Sequence, residues 1–288
     1  MTPGVQTVSA LPSLPVRPAD GHKGTFGTVL AVAGSRGMSG AAVLCGSAAV
    51  RGGAGLVRVA CPADIQTVVS GGNPCYLTSG LTGSDHAGDY AEQVERLSKS
   101  ANVIAVGPGM GQSDAVRNLV RHLVLTGDKP LVLDADALNV LSPVPEKLRD
   151  RGAPTVLTPH PGEFARLTNT TTAQVQSNRL NTAIGFASQW NVVLVLKGQH
   201  TIVTDGGRVF VNGTGNPGMA TGGTGDVLTG VVAALVAQGM TAFDAAVLGT
   251  WVHGRAGDLA AAAVGMTALC ATDVLSYLPA ALREVERR

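Results

Sequence analysis

Short runs in which nearly every position is apolar recur along the chain, at residues 28–33, 56–60, 103–106, 131–133, 155–157 and 192–196. Runs of this length without polar alternation are what strands buried on both faces of a parallel sheet require. Between them lie longer stretches of helix-like composition, residues 41–50, 114–125 and 172–190. The alternation predicts an α/β fold with helices on both faces of one mostly parallel central sheet. After Lys197 the rhythm changes. Residues 201–203 and 209–211 flank Asp205-Gly206-Gly207, a turn sequence that joins antiparallel strands, so a hairpin is expected to edge the sheet. From Thr224 onward the pattern is helical, with candidates at 227–237, 242–262 and 272–278.

Residues 1–20 form a Pro-rich N-terminal segment, and residues 21–288 read as a single domain, because neither a repeat, a low-complexity segment nor a linker interrupts them. The segment lacks an apolar stretch behind basic residues, so it does not read as a secretion signal. No run of 18 apolar residues occurs, which removes a membrane partner and leaves a cytoplasmic location as the expectation. Glycine supplies 38 of 288 residues, roughly twice the usual ~7%, so backbones must approach closely. With 45% hydrophobic and 14% charged residues the chain can bury a sizeable core. The net charge of +1 gives no field to steer nucleic acid, which is excluded as a partner. Cys45, Cys61, Cys75 and Cys270 form no C-x-x-C pair, so they are expected to be reduced, buried small hydrophobes.

Several chemistries are absent. No lysine follows a glycine, which excludes the Walker phosphate loop, and no serine stands between glycines at the spacing of a nucleophile elbow. Gly213-Thr214-Gly215-Asn216-Pro217-Gly218 does match G-x-G-x-x-G. Its Pro217, and the second glycine loop that follows, argue against a dinucleotide fingerprint, whose last glycines must open a helix.

That second loop, Thr221-Gly222-Gly223-Thr224-Gly225-Asp226, precedes an apolar helix. Glycines there let several unpaired N–H groups point out of the helix start, an arrangement that binds anions. Asp226 then stands in the first turn, beside whatever the loop holds. A plain N-cap would explain one glycine and an aspartate, but not this density of glycine and threonine.

The loop resembles the G-x-G-D signature of the ribokinase-like fold. Combined with Leu133-Asp134-Ala135-Asp136-Ala137-Leu138-Asn139, Thr158-Pro159-His160-Pro161-Gly162-Glu163-Phe164 and Lys197-Gly198, it resembles the ADP-dependent (S)-NAD(P)H-hydrate dehydratases over roughly residues 24–278. The resemblance implies a ribokinase-like three-layer sandwich and a hydro-lyase. Its substrate would be NADH hydrate or NADPH hydrate in the S form, with ADP, or ATP, as co-substrate and Mg2+ as cofactor, releasing AMP and phosphate. Asp226 would deprotonate the substrate hydroxyl. Ala41, Gly109, His160 and Asp226 would bind the hydrate; Lys197, Gly198, Gln199, His200 and Thr201, with Gly222, Gly223, Thr224 and Gly225, would bind the nucleotide.

Some of these positions admit plainer readings. Lys197 could snorkel from a strand end, His200 could be a turn residue, and Ala41 could serve helix packing. Asp134 and Asp136 could face Mg2+ through water, or one of them could cap a helix, so no metal ligand is assigned. Met38 stands where relatives often have an aromatic, which removes a stacking partner. Many family members carry an N-terminal epimerase domain; without one here, the chain is expected to depend on a separate NAD(P)H-hydrate epimerase. A homo-oligomer is expected from the small, apolar face of residues 242–262, with a tetramer implied by the family. The alternative is a small-molecule kinase of the same fold, acting on a vitamin-precursor alcohol or a sugar with the same Asp226.

Overall fold

The computed structural model describes residues 4–83, 89–142 and 146–287. Residues 1–3 of the Pro-rich segment, and residues 84–88, 143–145 and 288 of the expected domain, lie outside the described residues. Every apolar run of the sequence is a strand of one sheet: β2 (Thr28–Val32), β3 (Leu56–Pro62), β5 (Val103–Val106), β6 (Leu131–Leu133), β7 (Thr155–Leu157) and β8 (Val193–Leu196). β9 (Ile202–Thr204) and β10 (Arg208–Val211) form the expected hairpin, and β1 (Gln6–Thr7) and β4 (Leu77–Leu81) complete the sheet. Strand order is β1-β10-β9-β8-β7-β6-β5-β2-β3-β4. All neighbours pair in parallel except β9, which is antiparallel to both β8 and β10.

The hairpin is not the edge. β1, from the Pro-rich segment, adds a parallel strand outside β10, where the Gln6 N–H donates to the Gly207 carbonyl at 2.9 Å and the Val8 N–H to the Val209 carbonyl at 2.8 Å. Neither edge strand carries the apolar signature, because an edge buries little: both residues of β1 are exposed, and β4 is buried only at Leu81.

Side chains alternate across the sheet as the pleat dictates. Leu131, Leu133, Leu157, Leu194 and Leu196 face α3 (Asp89–Ser98), α4 (Asp114–Thr126), α5 (Ala135–Val140), α6 (Pro161–Leu167), α7 (Thr172–Ser177) and α8 (Arg179–Trp190). Val132, Val156, Val193 and Val195 face α1 (Ser39–Arg51), α2 (Gln66–Gly72), α9 (Thr224–Ala237) and α10 (Ala242–Val264). This is the expected three-layer sandwich. α11 (Ala271–Glu286) packs outside α9 and α10 through Val274 and Leu278, so α9 is enclosed on every side and its sequence is apolar all round.

Three further expectations need correction. Residues 172–190 are two helices, broken at Asn178, whose φ of −147° is not helical; the break starts α8 where Arg179 can donate to the carbonyls of Leu196 and Lys197, both at 3.1 Å. All four cysteines are free, but Cys75 and Cys270 are exposed, the latter at the start of α11. The apolar face of α10 is largely covered within the chain by α9 and α11, so it supplies no argument for an oligomer. Among the described residues no helix is long and apolar enough to cross a membrane.

α1 and α9 cross at Gly230. A Cβ there would sit 2.2 Å from the Cys45 carbonyl oxygen and 2.8 Å from the Ala48 Cβ. Gly230→Ala should gain up to about 1 kcal/mol of helix propensity but lose more to a clash with backbone that cannot rotate away, for a net loss of about 1–3 kcal/mol. Urea denaturation checks this; a variant as stable as the parent would show that the helices can separate.

Candidate active site

In an open parallel sheet, ligands gather at the carboxyl ends of the strands where the strand order reverses, here between β2 and β5. Around that point β5 delivers Gly107 to Gly111, β6 delivers Asp134 and Asp136, β7 delivers His160, and β8 delivers Lys197. The start of α9 carries the glycine loop and Asp226.

Lys197 does not snorkel outward. Its Nζ lies 2.7 Å from Oδ1 of Asp134, which is 1% exposed, and 3.9 Å from Oε2 of the buried Glu163. The second oxygen of Asp134 accepts a hydrogen bond from the Thr229 hydroxyl at 2.8 Å, tying β6 to α9. Burial works against the lysine's charge, but Asp134 and Glu163 outweigh it and hold the ammonium above the usual lysine range. Asp134 occupies the N-cap position of α5 yet makes no side-chain cap bond, so the capping reading fails for it. Asp136 instead accepts the Gly111 N–H at 2.8 Å. Ala135 between them takes a left-handed φ of 47°, which turns the two carboxylates to different partners.

α9 begins three residues earlier than its apolar pattern. Its N-cap is Gly223, at φ 91°, a left-handed backbone that favours glycine, and a Cβ there would be 2.6 Å from Cδ1 of Leu44. No side chain caps this helix, and its first amides keep the unpaired state of a helix start. The Thr224 hydroxyl donates to the Met219 and Thr221 carbonyls, both at 3.1 Å, closing the loop on itself. A Cβ on Gly225 would be 3.3 Å from the Lys197 Nζ, which places the loop directly over the ion pair.

Asp226 is therefore in the third helical position and is not the cap. Among the described residues its carboxylate accepts no hydrogen bond. Burial, and then the negative charge of Asp134, raise its pKa to about 7, although Lys197 pulls the other way.

Ala41 and Gly109 meet: a Cβ on Gly109 would be 2.7 Å from the Ala41 Cβ and 3.0 Å from the Met38 carbonyl. His160 caps α6, its Nδ1 accepting the N–H groups of Gly162 at 3.0 Å and Glu163 at 3.2 Å, while its own N–H donates to Glu163 at 2.8 Å. That structural duty fixes the tautomer and leaves Nε2 half-exposed, 3.4 Å from Glu163 Oε1. Burial lowers its pKa, so the ring is neutral at pH 7.

Gly198, Gln199, His200 and Thr201 follow Lys197, and of these Gln199 and His200 line a groove with Arg179, whose guanidinium donates to the Gln199 carbonyl at 2.6 Å. Among the described residues no hydrogen bond or ion pair joins Gln199, His200 or Thr201 to the Asp226 group. Nor do three His, Cys, Asp or Glu side chains gather as metal ligands there. Both Asp134 oxygens are engaged, and both Asp136 oxygens accept hydrogen bonds, from the Gly111 N–H at 2.8 Å and the Asn139 side-chain amide at 3.5 Å, so a metal could enter only with ligands of its own, such as phosphate oxygens and water. Thr229 and His253 belong to this site and were missed in the sequence. Thr229 is buried in mid-α9, and His253 is a lone histidine in α10 whose partner Thr224 lies 29 positions away.

Residues 29–280 match the family described as NAD(P)H-hydrate dehydratase. The chain is 45% identical, over 95% of its length, to the bifunctional NAD(P)H-hydrate repair enzyme of Moorella thermoacetica, of which it covers 52%. It is 42% identical, over 88% of its length, to the ADP-dependent (S)-NAD(P)H-hydrate dehydratase of Neisseria meningitidis, of which it covers 83%. The ADP/ATP-dependent NAD(P)H-hydrate dehydratase of Bacillus subtilis, co-crystallised with ATP and Mg2+, superposes with a TM-score of 0.84 at 33% identity, covering 95% of each chain. The chain spans about half the length of the bifunctional relatives it matches.

The native state holds the Asp226 proton up to about pH 7, well above the ordinary 3.8, so this stabilising contribution is complete below pH 3.8 and lost as pH rises through 7. Asp226→Asn cannot ionise. Its stability relative to the parent should therefore increase between pH 4 and pH 8, measured by urea denaturation at stepped pH. A difference that stays flat over that window would contradict the raised pKa.

Proposed function

The chain belongs to the NAD(P)H-hydrate dehydratase family, with its ribokinase-like fold, and from that premise we propose that it repairs nicotinamide nucleotides. In this reading it dehydrates the S form of NADH hydrate or NADPH hydrate to NAD(P)H and splits ADP to AMP and phosphate; ATP can replace ADP. The observation that carries it is Asp226: a carboxylate with no structural bond of its own, poised near pH 7, in the first turn of a helix whose free amides lie over Lys197.

The damaged ring carries a hydroxyl at C6, and hydroxide leaves poorly. Asp226 takes the hydroxyl proton as the oxygen attacks the terminal phosphorus of the nucleotide. The amides of Gly222 to Gly225, with the Lys197 ammonium behind them, stabilise the charge that develops on the transferred group. Phosphate then departs with the electron pair of the C–O bond, assisted by the ring nitrogen, and loss of the C5 proton restores the double bond. A Mg2+ ion carried on the nucleotide would neutralise phosphate charge, with Asp134 and Asp136 facing it through water.

Ala41 and Gly109 leave room for the ring, and neutral His160 offers its Nε2 edge to the hydrate. Lys197 to Thr201 receive the nucleotide, whose outer part fits the groove beside Arg179. Residues 21–288 act as one dehydratase domain in the cytoplasm, working on the S form that an NAD(P)H-hydrate epimerase activity supplies. A tetramer rests on the resemblance alone.

Adding the protein with ADP and Mg2+ to NADH hydrate should restore the near-ultraviolet absorbance of the dihydronicotinamide, and omitting the nucleotide should abolish the rise. No rise with ADP or ATP would favour the kinase alternative. In the active protein, Asp226→Asn should still bind ADP in a calorimeter while turnover falls on the order of 10²- to 10⁴-fold. The parent's kcat/KM should climb with pH through about 7 as the carboxylate forms. A variant turning over at the parental rate would remove Asp226 as the base.

A further inference from the structure

The first turn of α9 is held from behind by a residue that the dehydratase resemblance does not assign. His253, in mid-α10, places its Nε2 2.8 Å from the carbonyl oxygen of Thr224, the first residue of α9. A carbonyl can only accept, so the proton sits on Nε2. Burial, with Lys197 adding to it, holds the ring's pKa down to about 4 even though the carbonyl bond favours protonation. The ring is thus neutral and committed to one tautomer.

The contact has a directional consequence. Thr224 C=O and Gly225 N–H belong to one rigid trans peptide and point in opposite directions. Fixing the oxygen against α10 aims the Gly225 N–H out of the helix start, at a residue whose Cβ position would lie 3.3 Å from the Lys197 Nζ. A carbonyl that accepts a second hydrogen bond also polarises its peptide and makes the N–H a better donor.

The rest of this α10 face carries the chain leading into the loop. Asp258 accepts the Gly215 N–H and the Asn216 side-chain amide, both at 3.0 Å, and the Trp251 carbonyl accepts the Thr214 hydroxyl at 3.0 Å. Gly254 and Gly257 lack side chains where Thr214 and Met219 press in: a Cβ would lie 2.3 Å from Thr214 Oγ1 and 2.1 Å from Met219 Sδ. α10 is a ledge beneath residues 212–224, and His253 is where the ledge reaches α9.

We propose that His253 is a positioning residue that sets the Thr224–Gly225 peptide so that the Gly225 N–H is aimed at the phosphoryl group in transfer. The proposal rests on the dehydratase reading for the reaction's identity, but the aiming of the peptide does not depend on which hydroxyl is phosphorylated.

The full chain is assayed as His253→Leu and His253→Gln with NADH hydrate, ADP and Mg2+. His253→Leu should lower kcat about 10- to 100-fold, somewhat less than deletion of an oxyanion donor, with the KM for the hydrate nearly unchanged. His253→Gln, whose amide can still donate, should recover most of the loss while melting at the same temperature as His253→Leu. Equal losses in both variants, or a parental kcat in His253→Leu, would overturn the proposal. Nitrogen-15 NMR of the parent's imidazoles tests the contact whether or not the variants fold. A neutral ring protonated on Nε2 at pH 5–7 is expected, and an Nδ1-protonated ring, or titration near the ordinary histidine pKa of 6.5, would overturn it. A parent inactive on NADH hydrate would sink the dehydratase reading, while the tautomer would still decide the contact.

Discussion

The buried pair between Lys197 and Asp134 is the interaction around which the site is organised. Bringing two charges together at the carboxyl ends of β6 and β8 is favourable only when the remaining lone pairs and protons find partners. Here they do: Thr229 takes the second oxygen of Asp134, and Glu163 stands 3.9 Å beyond the ammonium. Because Thr229 belongs to α9, satisfying Asp134 also draws that helix onto the strand ends. The crossing of α1 and α9 at Gly230 keeps it there, so the glycine loop hangs over Lys197 and not over the outer face of the sheet.

The charges around the pair do not balance. Asp134, Asp136 and Glu163 all lie close enough to act on Asp226, and the cation among them is Lys197. Two results follow from this excess of carboxylate. Asp226 keeps its proton to near neutrality, since its ionisation would add another negative charge to a half-buried cluster. The amides at the start of α9 also attract an anion toward a place that repels it, unless that anion brings positive charge of its own. A nucleotide bound with a divalent cation meets both demands, which a bare phosphate does not.

Strands buried on both faces were legible because each is an unbroken apolar run, and the hairpin because its turn residues are specific. The edges were not: Gln6–Thr7 and Leu77–Leu81 bury too little to leave a pattern. Asp226 and its glycines could be read because an anion-binding helix start is a local arrangement. Lys197 could be noticed, since a charge at the end of an apolar strand demands an explanation, but Asp134 as its partner is 63 positions distant. Thr229 and His253 left no trace, because a buried threonine in an apolar helix and a single histidine in an alanine-rich one look like ordinary helical positions. The apolar stripe of α10 misled in the opposite sense. Small residues there suit close packing, but the surface they pack against is α9, α11 and the loop of residues 212–219 within the same chain.

A base with a pKa near 7 suits the proposed sequence of steps better than one at the ordinary carboxylate value. A carboxylate titrating near 4 would be a weak acceptor for the hydroxyl proton. It would also tend to release that proton at once, standing as a full negative charge beside a phosphorylated intermediate. With its affinity raised by burial and by Asp134, Asp226 accepts the proton more readily and keeps it. The side chain nearest the new phosphate ester is then neutral while the C–O bond breaks, and the departing phosphate stays under the amides of the loop and the fixed charge of Lys197. In the proposed reaction, the same carboxylate excess that destabilises the ionised form of Asp226 thus suits it to accept the proton in the first step and to stand uncharged in the second.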